Sequence, residues 1–192
     1  NEASQWGILQ QLYGIVQGMA LNMGLSLLPQ LTKYQLQKQK DKFIKTLSVS
    51  YVFLLLIIIA GGICINVLGP FALQLIKSKS HLPDISLMTF YFVSSVILVT
   101  AQLFACVLGC KNIIPSPKAV LTTSAAAIVL LFILLHFCSL GLWALVLAPC
   151  LTRMAYTSWR WPQLVLRDCQ LNIFQLIHIG INELYDKFIR CK

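Results

Sequence analysis

Four amide side chains lie within one apolar segment near the start of the chain, together with regularly spaced glycines. On a helix of about 100° per residue, the amides and glycines fall within one arc of roughly 140°. An amide without a partner is unfavourable in hydrocarbon, so this arc is predicted to face a polar cavity or the interior of a helix bundle. The residues of the arc are Gly7, Gln10, Gln11, Gly14, Gln17, Gly18 and Asn22.

Helix packing is the alternative to cavity lining, and one arc can serve both. The spacing Gly14-x-x-x-Gly18 permits close approach of a second helix, and amides can form hydrogen bonds between helices. A weaker polar face in a later apolar segment favours packing, although its Gln102 is also a candidate for a substrate path. The residues of that face are Ser94, Ala101, Gln102, Ala105 and Gly109.

Arg153 lies about one helical turn inside the end of the last apolar segment. Its guanidinium can extend along the helix to lipid headgroups. Alternatively, it can point inward and bind an anionic group such as a diphosphate. Both interpretations make it a candidate site residue.

The groups that an enzyme needs are not assembled in the apolar segments. The three His residues are scattered, and Cys106 and Cys110, one turn apart, would need further ligands to hold a metal. The sequence therefore predicts neither an enzyme nor a bound cofactor or metal. The six acidic residues all lie in loops or in the tail: Glu2, Asp41, Asp84, Asp168, Glu183 and Asp186.

The composition decides the class of protein. The 192 residues are 58% hydrophobic and 11% charged, whereas soluble domains average about 45–50% apolar and about 25% charged residues. Seven Cys, an odd number mostly within apolar runs, are atypical of a disulfide scaffold. We therefore predict an all-α, polytopic transmembrane helix bundle.

Five stretches approach the length of about 20 apolar residues that a membrane span needs. They are residues 6–28, 49–68, 87–109, 119–137 and 140–157, so residues 1–157 form the predicted bundle. Residues 158–192 form a predicted cytoplasmic tail, with an amphipathic helix lying in the membrane interface. The apolar stripe of this helix comprises Ile173, Phe174, Ile177, Ile181, Leu184, Tyr185 and Phe188. Two apolar residues, Leu176 and Ile179, fall on its polar side as exceptions.

The positions of the basic residues predict the orientation. Thirteen of the 15 Lys and Arg residues fall on one side of the predicted spans, and only Lys77 and Lys79 fall on the other. The rule that cytoplasmic loops are positive places the N-terminus of this chain outside and its C-terminus in the cytoplasm. The net charge of +9 thus reflects topology and does not indicate nucleic acid. An odd number of spans with an outside N-terminus suggests that an upstream portion precedes this chain.

The order of these features resembles the polysaccharide-biosynthesis membrane proteins over residues 5–157. The segment Leu27–Lys33, with its Leu-Pro-x-Leu exit, and the basic stretch Gln37–Phe43 look like a helix and cytoplasmic loop of that family's second half. Leu108–Lys111 is similar to a small-residue and Lys turn of the family, and Ser139–Ala144 to its Gly-rich turn between two late helices. Trp143 stands where the family often has a second glycine.

The resemblance implies a flippase for lipid-linked oligosaccharides (O-antigen type), in the superfamily of the multidrug and toxin extrusion transporters. Such proteins form two bundles around a central cavity, so this chain would be most of the C-terminal bundle, in the inner (cytoplasmic) membrane. The implied substrate is an isoprenoid-diphosphate-linked oligosaccharide. The implied partners are the bilayer, the missing N-terminal half, a polysaccharide polymerase and glycosyltransferases.

Two other functions remain open from the sequence. One is a multidrug/cation antiporter of the same superfamily, and the other is a non-transport membrane subunit of a polysaccharide-assembly enzyme. An acidic residue in the upstream spans would favour cation-coupled efflux, whereas Arg or Lys there would favour a diphosphate glycolipid.

Overall fold

The computed structural model describes residues 2–75, 83–111, 113, 117–138 and 140–190, and within these ranges every secondary-structure element is an α-helix. The predicted all-α class is therefore confirmed. The described elements are α1 (Glu2–Leu25), α2 (Leu28–Leu36), α3 (Lys40–Leu75), α4 (Ile85–Cys110), α5 (Pro117–Phe137), α6 (Leu142–Ala155), α7 (Thr157–Cys169) and α8 (Ile173–Arg190).

Three of the described helices are long and apolar enough to cross a bilayer. They contain the segments Lys40–Gly69 of α3, Ile85–Cys110 and Pro117–Phe137, which have 30, 26 and 21 residues. At about 1.5 Å per residue, each reaches the ~30 Å thickness of the hydrocarbon core. The chain therefore has the helices of a membrane protein.

The basic segment before the second predicted span is largely helical and not a loop. The predicted span 49–68 lies inside the 36-residue helix α3, and α2 occupies much of the segment before it. Phe43 and Leu47 are buried on the first turns of α3, so packing extends this helix beyond the apolar stretch. Lys77 and Lys79, the two basic residues predicted on the outer side of the membrane, lie outside the described residues.

The first predicted span ends earlier than expected. Helix α1 ends at Leu25, and α2 begins at Leu28 with Pro29 in its first turn. Proline has no N–H to continue the preceding helix but fits the start of a new one. The predicted span 6–28 therefore includes the turn between two helices.

The fifth predicted span, 140–157, is a shorter helix followed by a break. Helix α6 has 14 residues, which at about 1.5 Å per residue gives roughly 21 Å, less than the hydrocarbon core. The backbone leaves the helical conformation at Tyr156, and α7 then packs on α4. Val165 and Leu166 of α7 are buried, so part of the segment predicted as the tail packs against the other helices.

Helix α8 packs on α3, while most of its described apolar stripe, which was expected to face the membrane interface, is exposed. Leu176, expected on the polar side, is fully buried. A Cβ atom added to Gly180 would lie 2.5 Å from the backbone oxygen of Ser48, so the two helices approach closely there. Phe174, from the predicted apolar stripe, is 84% exposed, and Ile181 and Tyr185 are also exposed. The absence of a side chain at Gly180 thus decides which face packs.

Two clusters of buried side chains hold the described helices together. The larger one joins α1, α2, α3, α4, α7 and α8 around Tyr51, Leu54 and Phe104. The smaller one joins α1, α3, α4 and α6 around Tyr13, Met88 and Val146. Helix α5 has no buried residue and packs on α6.

Candidate substrate cavity

Helix α1 contacts the bundle through a face at the edge of the polar arc. Leu9, Tyr13 and Ala20 are fully buried against α3 and α4. Asn66 of α3 donates a hydrogen bond to the Tyr13 hydroxyl at 3.0 Å. This packing rotates α1 so that Gln10 and Gln17, at one edge of the arc, turn toward α4 and α6.

A cavity of about 170 Å³ lies between α1, α4 and α6, and Ser158 in the first turn of α7 also lines it. Three predicted site residues from two different helices, Gln10, Gln17 and Arg153, line it together. The complete lining is Trp6, Gln10, Gln17, Tyr91, Ser94, Ser95, Ile97, Leu98, Leu145, Val146, Pro149, Cys150, Arg153, Met154 and Ser158.

Hydrogen bonds fix the polar wall of this cavity. The Gln17 Nε2 group donates to Ser95 Oγ at 2.7 Å, and Ser95 Oγ donates to the Tyr91 carbonyl oxygen at 2.8 Å. Ser94 Oγ donates to the Cys150 sulfur at 3.2 Å. Gln17 therefore joins α1 to α4 by a hydrogen bond and also lines the cavity.

Arg153 brings a positive charge to the cavity. It lies on α6 close to the break at Tyr156, and its side chain is near enough to act electrostatically on Tyr91. Among the residues that the structure describes, no carboxylate lies within ion-pair distance of Arg153. The Thr157 hydroxyl donates to the Arg153 carbonyl oxygen at 3.1 Å, which helps to hold the backbone at the break. The arrangement can accept an anionic group.

The other predicted site residues lie away from this cavity. Gln11, Gly14 and Asn22 are exposed on the outer side of α1, Gly18 is partly exposed, and Gln102 is exposed on α4. A Cβ atom at either Gly14 or Gly18 would meet nothing within 4 Å. Within the described chain, no helix packs closely on this glycine pair.

Close helix approach occurs instead at two adjacent glycines of α3. A Cβ atom on Gly61 would lie 2.4 Å from the Val16 side chain, and one on Gly62 would lie 2.2 Å from Phe92. These glycines allow α1 and α4 to pack on α3, which sets the width of the cavity. These glycines were not among the predicted site residues, although the pair Gly61-Gly62 interrupts a run of mostly large apolar residues.

The aromatic part of the cavity wall was also missed from the sequence. Tyr91 lies between Trp6 and Tyr13, with ring centroids 5.5 and 5.1 Å away and nearly perpendicular ring planes. Tyr91 lies one helical turn before Ser94 and Ser95, and this spacing was the available signal for a shared polar face. The cavity thus combines aromatic rings, amides, hydroxyls and one guanidinium.

Comparison with known proteins gives no relative: no family model, curated protein or solved structure matches this chain.

Proposed function

We propose that this chain is the C-terminal part of a flippase that moves an isoprenoid-diphosphate-linked oligosaccharide across the cytoplasmic membrane. The observation that supports the proposal is that Gln10, Gln17 and Arg153 line the same cavity. The resemblance of residues 5–157 to polysaccharide-biosynthesis membrane proteins supplies the substrate class.

The chemistry of the cavity wall suits a glycan. Sugars present many hydroxyl groups, which the amides of Gln10 and Gln17 can serve as both donors and acceptors. Trp6 and Tyr91 offer flat apolar surfaces beside these amides, as mixed polar and aromatic ligand sites do. The cavity is small, about 170 Å³, so it would hold only part of an oligosaccharide at a time.

The charge of Arg153 favours an anionic substrate over a cationic drug. A guanidinium presents paired N–H donors that match phosphate oxygens. A cation antiporter would need a negative group at the same place, and Arg153 would repel its substrate. The presence of Arg153 in the cavity lining therefore favours a flippase for an anionic glycolipid over a cation antiporter.

We also propose that two further membrane crossings complete the five expected from the sequence. Helix α1 has 24 residues, which at about 1.5 Å per residue is long enough for a span. Helices α6 and α7 together would form the last crossing, broken near Tyr156, and discontinuous helices are typical of transporter binding sites. The N-terminus would then face outside, and the exposed stripe of α8 would contact lipid.

In this proposal a second bundle covers the outer side of α1. Gln11, Gly14 and Asn22 are exposed there, although unpartnered amides are unfavourable in lipid. An N-terminal half packed across the cavity would provide partners for them and would enlarge the cavity into a full substrate path.

The test is replacement of Arg153 in the complete protein, reconstituted in proteoliposomes with a polyprenyl-diphosphate-linked oligosaccharide. Loss of one charge-assisted hydrogen bond costs roughly 1.5–3 kcal/mol, so Arg153→Gln should slow translocation about 10- to 150-fold. Arg153→Lys keeps the charge and should retain part of the rate. Arg160→Gln, which removes an exposed cation of α7 outside the cavity, is the matched control.

Equal translocation by the Arg153→Gln and Arg160→Gln proteins, at equal membrane abundance, would refute the role of Arg153 in the substrate path. That result would favour the interpretation in which Arg153 only reaches lipid headgroups. Efflux of a cationic dye that increases in Arg153→Gln would instead favour the antiporter.

A further inference from the structure

A second, more basic cavity lies at the end of the bundle where the lysines concentrate. It has a volume of about 260 Å³ and is formed by the α2–α3 turn, the end of α4 and the end of α7. It shares no lining residue with the cavity that contains Arg153. Its lining is Tyr34, Gln35, Lys38, Lys40, Phe43, Ile44, Lys111, Asp168, Cys169 and Gln170.

The charges around this cavity do not balance. Lys38, Lys40 and Lys111 contribute three positive charges, and Asp168 contributes the single negative charge of the lining. Asp168 pairs with Lys111, which leaves the ammonium groups of Lys38 and Lys40 unmatched within the lining. Converging charges of one sign in a concave site strengthen the local field, so this cavity attracts anions.

Lys111 is built into the wall and not displayed on the surface. Its side chain is only 7% exposed. Its Nζ atom lies 5.0 Å from the centroid of the Phe43 ring and pairs with Asp168. The hydrogen bond from Lys111 holds the pKa of the Asp168 carboxyl below its usual value, and the positive charge of Lys40 acts in the same direction. The field of the lysines therefore reaches the cavity wall.

The turns that carry the other lining groups have defined backbone conformations. Lys38 and Gln170 both adopt the left-handed region, with φ of 55° and 56°. Lys38 lies in the α2–α3 turn, and Gln170 caps the end of α7. The Gln39 amide donates to the Tyr34 carbonyl oxygen at 3.0 Å, which ties the lysine-bearing turn back to α2. The lysines are thus carried on a fixed turn next to the end of α7.

We propose that this basic cavity binds a phosphate anion, supplied either by an anionic phospholipid headgroup or by free inorganic phosphate. Lysine ammonium groups donate to phosphate oxygens and match their charge. Basic pockets between helices at the cytoplasmic side of a membrane bind such headgroups. The site does not depend on the transport proposal, because it uses different residues and a different end of the helices.

Alkylation of Cys169 can report occupancy, since this thiol lines the cavity. The purified chain in neutral-detergent micelles would be treated with N-ethylmaleimide at alkaline pH, because burial raises the pKa of the Cys169 thiol. Peptide mass spectrometry would then compare Cys169 with Cys138, an exposed cysteine outside the cavity. The probes are dioleoylphosphatidylglycerol, dioleoylphosphatidylcholine and inorganic phosphate.

We expect phosphatidylglycerol to slow alkylation of Cys169 and to leave Cys138 unchanged. Each lysine near an anionic headgroup contributes about fivefold in affinity, so Lys38→Gln with Lys40→Gln should weaken protection about thirtyfold. Lys33→Gln, an exposed lysine of α2 outside the lining, should have little effect. Protection is compared with and without the probe within each variant, because the substitutions themselves alter the reactivity of Cys169.

Asp168→Asn provides a second variant with the opposite sign. It removes the negative charge of the lining and should strengthen protection, so a folding defect in the lysine variant cannot decide the result. Protection by phosphatidylglycerol alone identifies a lipid site, and protection by inorganic phosphate identifies a free-anion site. Protection by neither, equal protection by phosphatidylcholine, or equal weakening in Lys33→Gln overturns the proposal.

Discussion

Gly180 offers the sharpest test of how the C-terminal helix is positioned. A Cβ atom at this position would lie 2.5 Å from the Ser48 oxygen and 2.6 Å from a Val52 methyl carbon. The first of these neighbours is backbone, which cannot move aside without shifting α3. Gly180→Ala should therefore push α8 away from α3.

The size of the effect follows from two opposing terms. Overpacking costs about 1–3 kcal/mol, whereas alanine gains about 1 kcal/mol over glycine from helix propensity. The net result for Gly180→Ala is a destabilisation of up to about 2 kcal/mol. Gly14→Ala is the matched control, because a Cβ atom there meets nothing within 4 Å and only the favourable term remains.

Hydrogen exchange of the α8 peptides, measured in detergent with both variants, reports the net effect of the two terms on α8. A net destabilisation of up to about 2 kcal/mol corresponds to up to about 30-fold faster exchange by local opening. Thermal unfolding followed by circular dichroism supplies the global comparison. If the α8 peptides exchange as slowly in Gly180→Ala as in Gly14→Ala, α8 does not pack closely on α3 at Gly180.

Two further predictions address the substrate cavity and the ion pair of the basic cavity. The double variant Gln10→Leu with Gln17→Leu should lower glycolipid translocation and leave the membrane abundance of the complete protein unchanged. Gln11→Leu is the control. Normal translocation by the double variant would refute the cavity assignment. Asp168→Asn should lower the melting temperature at neutral pH by an amount corresponding to about 1 kcal/mol, since Lys111 loses its partner. Because the folded-state pKa of Asp168 is lowered, this stabilisation is present above about pH 4 and is lost as the pH falls through the lowered pKa; a difference between the two proteins that persists at lower pH would contradict it.

The sequence by itself determined the class of protein and the positions of the main apolar helices. Long runs of large apolar residues such as those in α4 and α5 can only be helical in lipid, because every backbone group must be paired within the segment. The predicted spans 87–109 and 119–137 accordingly differ from α4 and α5 by no more than two residues at either end. The predicted amphipathic helix of the tail also exists as α8.

The tertiary structure alone decided which face of each helix is used. The polar arc of α1 is visible in the sequence, but only its edge at Gln10 and Gln17 reaches the cavity, because Gly61 and Gly62 let α1 and α4 settle on α3 in one rotation. The same holds for α8, where Gly180 selects the packed face. Periodicity gives the faces of a helix but not the neighbour that will cover each of them, and that choice depends on close contacts between residues far apart in the chain.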